Sequence, residues 1–165
     1  MPVALLPDRV LVTVVGPDAT TLLQGVLTCN VETLQPGEAR LGALLTPQGK
    51  ILFDFLVSRI PDGFRLDVQA DKAADLAKRL TLYRLRAQAT IAADPTVAVA
   101  AVWAGAVPPA AEAVADSRAA DLGARLYAAA GAFSTDATEA DYHGHRIALG
   151  VPEGGRDYAF GDAFP

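Results

Sequence analysis

Cysteine is almost missing from this chain. Cys29 is the single thiol in 165 residues, so no disulfide forms within the chain and it cannot assemble a paired-cysteine metal knuckle. A reducing compartment follows. The cytoplasm is the expected location, since the opening Met-Pro-Val-Ala-Leu-Leu-Pro-Asp-Arg lacks the basic and apolar regions of a secretory leader. Long apolar runs are missing as well. The longest, Val97 to Val107, is about half of the roughly 20 residues a membrane helix needs and ends at Pro108-Pro109, so no membrane partner is expected. Positive charge is in deficit: 14 basic against 19 acidic side chains give a net charge of -5. That balance excludes whole-molecule attraction to a polyanion, and nucleic acid is not an expected partner, although a local cationic cluster can still hold a small anion. No Gly-x-Gly-x-x-Gly follows a strand and no Gly-x-x-x-x-Gly-Lys occurs. Rossmann and P-loop nucleotide sites therefore lack their sequence basis.

What is present, 52% apolar and 20% charged residues, is enough for a globular core. Arg9 to Val15 is valine-rich and stops at Gly16-Pro17, which predicts a buried strand ending in a turn. A helix is predicted next: Pro17 suits its first position, Asp18 its positive end, and Leu22, Leu23, Val26 and Leu27 make an apolar stripe. Three strands at hairpin spacing follow, Ala39 to Leu45, Ile51 to Ile60 and Phe64 to Val68, separated by Thr46-Pro47-Gln48-Gly49 and Pro61-Asp62-Gly63. In the third, Phe64, Leu66 and Val68 alternate with Arg65, Asp67 and Gln69, predicting one buried and one wet face. Ile51 to Val57 is apolar on both faces except at Asp54 and reads as a central strand.

Asp71 is the expected cap of a second helix whose core stripe is Ala73, Leu76, Ala77 and Leu80. From Tyr83 the period changes to two, predicting a strand to Ile91 with Arg84, Arg86, Gln88 and Thr90 on its polar face. A strand from Val97 to Trp103, an Ala/Pro-rich connection from Gly105 to Asp116, a short strand from Ala124 to Ala130 and a short helix from Glu139 to Leu149 complete the pattern. The fold class is α+β with a mainly antiparallel sheet. The change in composition places a lobe boundary that divides the chain into 1–95 and 96–165.

Asp54 carries the most chemical information, because a carboxylate within an apolar strand must be paired, hydrogen-bonded or neutralised. Two readings stand: a salt bridge to Lys50 or an arginine, or an acceptor for the ring edge of a ligand. Arg84, Arg86 and Gln88 form either a solvated face or a clamp for a carboxylate. Tyr83 is either core or a stacking platform. Cys29 reads as a small buried hydrophobe. His143 and His145 read as surface residues, and no metal site is expected. No serine or cysteine has a recognisable triad context, and catalytic residues stay unassigned.

Four blocks carry a resemblance. Leu22-Leu23-Gln24-Gly25-Val26-Leu27-Thr28-Cys29-Asn30-Val31, Leu45-Thr46-Pro47-Gln48-Gly49-Lys50-Ile51-Leu52-Phe53-Asp54-Phe55, Leu80-Thr81-Leu82-Tyr83-Arg84-Leu85-Arg86, and Arg146-Ile147 with Gly150-Val151-Pro152-Glu153-Gly154 resemble, in order, segments of the YgfZ family, relatives of the glycine-cleavage T-protein. Cys29-Asn30 stands where that family has Asn-Asp. The family's Lys-Gly-Cys-Tyr-x-Gly-Gln-Glu signature has no counterpart, so a fragment, or a product lacking that thiol, is expected. The resemblance implies a T-protein-like folate fold with the folate-binding lobe in 1–95. It further implies tetrahydrofolate as cofactor and iron–sulfur proteins or their scaffolds as partners. The implied function is an accessory role in iron–sulfur cluster assembly or repair; the alternatives are folate-dependent aminomethyl transfer and a non-catalytic interaction module. Gln24, Thr28, Asn30, Gln48, Asp54, Tyr83, Arg84 and Arg86 are the folate-contacting residues so implied.

Overall fold

The computed structural model describes residues 2–105 and 112–165. Within them the strands are β1 (Val3–Leu5), β2 (Arg9–Val15), β3 (Glu38–Leu45), β4 (Ile51–Ile60), β5 (Gly63–Gln69), β6 (Thr90–Asp94), β7 (Val97–Val102), β8 (Glu112–Asp116) and β9 (Ala124–Ala129). The helices are α1 (Ala19–Val26), α2 (Ala73–Arg84) and α3 (Glu139–Ala148). All nine strands share one sheet in the order β1-β7-β9-β8-β3-β4-β5-β2-β6. Every pairing is antiparallel except β3 with β8, where Glu38 and Ala39 face Ala115 and Asp116. The expected α+β class with a mainly antiparallel sheet is what the chain forms.

Two cores lie on opposite faces of β2–β5. On one face α1 and α2 set Leu22, Leu23, Leu76 and Leu80 against Val12, Phe53, Phe55, Val57, Phe64 and Leu66, burying the stripes their helical spacing predicted. On the other face Leu11, Ala39 and Leu56 meet Val99, Ala101, Val114 and Tyr127 from β7, β8 and β9, with Tyr142 of α3. The sheet therefore curls back on itself, as strongly twisted sheets of this size do.

Several expectations are corrected. Arg65, Asp67 and Gln69 are not wet: their side of β5 is the inner face of the curled sheet, and all three are buried. The strand expected from Tyr83 does not begin there. Helix α2 continues to Arg84 because Leu80, four residues after Leu76, completes its buried stripe. The chain then turns at Leu85, and β6 starts only at Thr90. Asp71 does not cap α2; it lies in a 3-10 turn, Ala70–Lys72, leading into the helix. The Ala/Pro-rich connection ends in a strand, β8, while 106–111 lie outside the described residues. His143 and His145 sit half-buried on α3 rather than on the open surface, His145 stacked on Trp103 with ring centroids 5.4 Å apart.

Candidate functional site

Asp54 is the one sequence-derived candidate that is buried, with 6% of its surface exposed. It lies in the first half of β4, beyond the reach of β5, whose pairing with β4 covers Leu56 to Ile60. The 154–163 segment fills that vacancy: Ile51 N–H donates to Ala163 O and Gly161 N–H to Ile51 O, both at 2.8 Å. The same segment satisfies the carboxylate. Gly154 N–H donates to Asp54 Oδ2 at 2.9 Å and the Tyr158 hydroxyl donates to the same oxygen at 2.5 Å. Gly154 O in turn accepts from Gln69 Nε2 at 2.6 Å. Neither Lys50 nor an arginine pairs with Asp54 among the described residues; backbone and phenol do so instead. Burial, then the hydrogen bond to Asp54 and its charge, push the Tyr158 phenol well above its ordinary range. Oδ2 is thus anchored while Oδ1 has no hydrogen-bond partner among the described residues. A carboxylate held by one oxygen and open at the other is an oriented acceptor.

A groove of about 430 Å³ is lined in part by Leu41, Arg118, Leu149, Val151 and Pro152, though not by Asp54 itself. Leu41 is two residues along β3 from Ala43, which faces Asp54. The two guanidinium groups of the groove are engaged: Arg40 with Glu38 and Thr33, Arg118 with Asp116 and Tyr142. Cys29 also lines it, and burial pushes its thiol up, which keeps it protonated and a poor nucleophile at neutral pH. A wider groove of about 750 Å³, around Gly16, Pro17, Arg59 and Asp62, holds none of the sequence-derived candidates.

The remaining candidates are scattered. Gln24 Oε1 accepts from Val31 N–H at 2.8 Å, Thr28 Oγ1 from Ala43 N–H at 2.9 Å and Asn30 Oδ1 from Thr33 N–H at 3.2 Å, so these three shape the α1–β3 connection. Gln48 is exposed in the β3–β4 turn. Tyr83 and Arg86 are exposed, and Arg84 Nη1 donates to Ala89 O at 3.2 Å. Helix α2 lies on the face opposite Asp54, and β5 and β2 separate β4 from β6. The structure does not bring Asp54 together with Arg84 and Arg86.

Sequence reasoning missed a buried charge cluster beside the site. Arg9 Nε donates to Asp67 Oδ1 at 2.7 Å, and Tyr127 OH donates to Asp67 Oδ2 at 3.2 Å. Arg125 Nε lies 3.2 Å from the same Oδ2, and Glu153 Oε1 lies 3.7 Å from Arg9 and 3.8 Å from Arg125. Burial on its own raises a carboxyl pKa, but Arg9 and Arg125 outweigh it and hold Asp67 below the usual range. Glu153 Oε2 also lies 3.4 Å from Arg156 and 4.0 Å from Arg146. The carboxylates offset the buried guanidinium charge, while all three guanidinium nitrogens of Arg125 are buried without a hydrogen-bond partner among the described residues. Glu153 belongs to the loop that delivers Gly154 to Asp54, so the cluster fixes that loop. The signal available was Arg125 within the apolar run of β9. Among the described residues no group of three His, Cys, Asp or Glu side chains is arranged to hold a metal ion, and no helix is long and apolar enough to cross a membrane.

The human iron–sulfur cluster assembly factor IBA57, mitochondrial, is 33% identical over 97% of this chain and 53% of its own length. The Neurospora crassa homolog of that factor, also mitochondrial, is 30% identical over 97% of this chain and 43% of its own. The chain thus spans about half the length of the curated relatives it matches. The crystal structure of glycine cleavage system aminomethyltransferase T from Bartonella henselae superposes on 99% of this chain and 55% of its own with a TM-score of 0.78 at 16% identity, which shows a shared fold. Both relatives are named as mitochondrial, which overturns the cytoplasmic expectation: a thiol count reports redox environment and carries no address. The family model described as GCVT N-terminal domain matches residues 10–125, and the chain belongs to that family.

Proposed function

We propose that this chain acts in iron–sulfur cluster assembly as a tetrahydrofolate-binding accessory protein of the YgfZ kind. The observation that carries the reading is the likeness, across 97% of the chain, to proteins named iron–sulfur cluster assembly factors. The oriented carboxylate supports the ligand. A pterin edge offers N–H donors, and Asp54 Oδ1 is an acceptor without a hydrogen-bond partner among the described residues. A groove of about 430 Å³, a size ordinary for small-molecule sites, is lined by Val151 and Pro152 of the loop that carries Gly154 to Asp54. When bound, tetrahydrofolate supplies one-carbon chemistry at its ring nitrogens; Asp54 orients it, and Gly154 and Tyr158 orient Asp54. Arg84 and Arg86 take no part at this acceptor because they lie across the sheet.

Calorimetric titration of the full-length protein with tetrahydrofolate tests the ligand. Binding is expected to weaken at least tenfold in Asp54→Asn, about the worth of one hydrogen bond to a charged group, and to be unchanged in Arg86→Ala. Absence of binding to the unmodified protein overturns it. Depletion of the protein from cells tests the role: iron–sulfur enzyme activities fall while iron-free enzymes of the same compartment do not. Folate-dependent glycine cleavage by the purified protein, lost in Asp54→Asn, would instead establish aminomethyl transfer.

A further inference from the structure

The end of α2 breaks three local rules at once. Leu82, Tyr83 and Leu85 are 66%, 42% and 87% exposed, although large apolar side chains are ordinarily turned inward. From Leu76 to Ala93 the sequence carries four cations, Lys78, Arg79, Arg84 and Arg86, and no carboxylate, in a chain of net charge -5. Among the described residues no salt bridge engages any of the four. Leu85 itself sits at φ 48°, ψ -110°, in a turn closed by Ala87 N–H donating to Arg84 O at 2.8 Å. That is the first central position of a type II′ turn, which belongs to glycine. The fold does not need a leucine there, since the side chain is almost wholly in water. Strained backbone presenting an exposed apolar residue is the pattern expected where binding, rather than stability, sets the residue.

We propose that this knuckle is the docking surface for a folded partner protein that presents an apolar recess rimmed by carboxylates. Charge complementarity selects the partner: four cations that no salt bridge engages among the described residues flank the apolar tip in sequence, Arg84 also donating to Ala89 O, and opposite charges steer encounter and fix register while the apolar anchor holds. An anionic membrane is a poorer fit, because three apolar side chains offer little area for insertion and the acidic body is repelled. The surface lies on the face opposite Asp54, so the proposal stands apart from the folate reading.

The test uses the full-length protein carrying a benzophenone amino acid at position 82, irradiated in its cells, with the cross-linked peptide sequenced. The expected result is a cross-link to one other protein, at a peptide holding Asp or Glu around apolar residues. Its yield falls about tenfold in Arg79→Glu/Arg86→Glu and in Leu85→Gly, and falls with added salt in a lysate. Leu85→Gly keeps or raises the melting temperature, since glycine relaxes the turn, so loss of yield in that variant is loss of the contact and not of the fold. Cross-links confined to the protein's own chain or to a second copy overturn the proposal. So does a yield indifferent to both variants, absence of any cross-link, or sedimentation with phosphatidylserine/phosphatidylcholine vesicles that those substitutions abolish.

Discussion

Gly154 donates its backbone N–H to the carboxylate of Asp54 at 2.9 Å across 100 residues of sequence, and accepts from Gln69 Nε2 at 2.6 Å through its carbonyl. The residue bridges the two strands β4 and β5 where their own pairing stops. A Cβ at 154 would lie 2.7 Å from Asp54 Oδ2 and 2.5 Å from the Phe160 ring. Gly154→Ala is therefore expected to lower stability by about 1–3 kcal/mol, read by urea unfolding. Faster amide exchange across 154–163 would locate the damage.

Asp67→Asn removes the anion between Arg9 and Arg125. With two guanidinium groups left buried, the loss is expected at about 3–5 kcal/mol. The pH dependence follows from the depressed carboxyl. Its contribution is fully present above the unfolded value of about 3.9 and is lost as pH falls through the lower folded value. Unfolding free energies of the natural protein should drop on acidification below about pH 4, and this part of the slope should vanish in the variant.

Tyr158→Phe leaves Asp54 Oδ2 with one donor instead of two. A loss of about 1–2 kcal/mol is expected from the charged hydrogen bond. With one of the two donors that orient the carboxylate gone, tetrahydrofolate affinity should fall, read in the same calorimetric cell. In the natural protein the raised phenol predicts that Tyr158 stays protonated in a spectrophotometric titration at pH values that ionise free tyrosine, about 10.

Thr138 and Asp141 cap α3 reciprocally: Thr138 Oγ1 accepts from Asp141 N–H at 3.2 Å, and Asp141 Oδ2 accepts from Thr138 N–H at 2.8 Å. Thr138→Ala should cost about 1 kcal/mol, seen as a melting shift of roughly 2–4 °C. The effect should add to that of Gly154→Ala, because the two sites share no hydrogen-bond partner.

Local pattern by itself determined much of this protein. The valine run of β2, the Pro-Gln-Gly and Pro-Asp-Gly turns around β4, the apolar stripes of α1 and α2 and the α3 start at Thr138 are all where their periodicity and turn chemistry place them, because each depends on neighbours within a few residues. Asp54 was legible too, as a charge in an otherwise apolar strand. Tertiary structure decided the rest. Arg65, Asp67 and Gln69 alternate like a wet face, and only the curling of β7, β8 and β9 over β5 turns them into a buried one. The period of two after Tyr83 lost to a helix already committed by Leu76 and Leu80. The partners of Asp54 come from residues 154 and 158, and no local pattern can show a contact that exists only once the chain has folded back on itself.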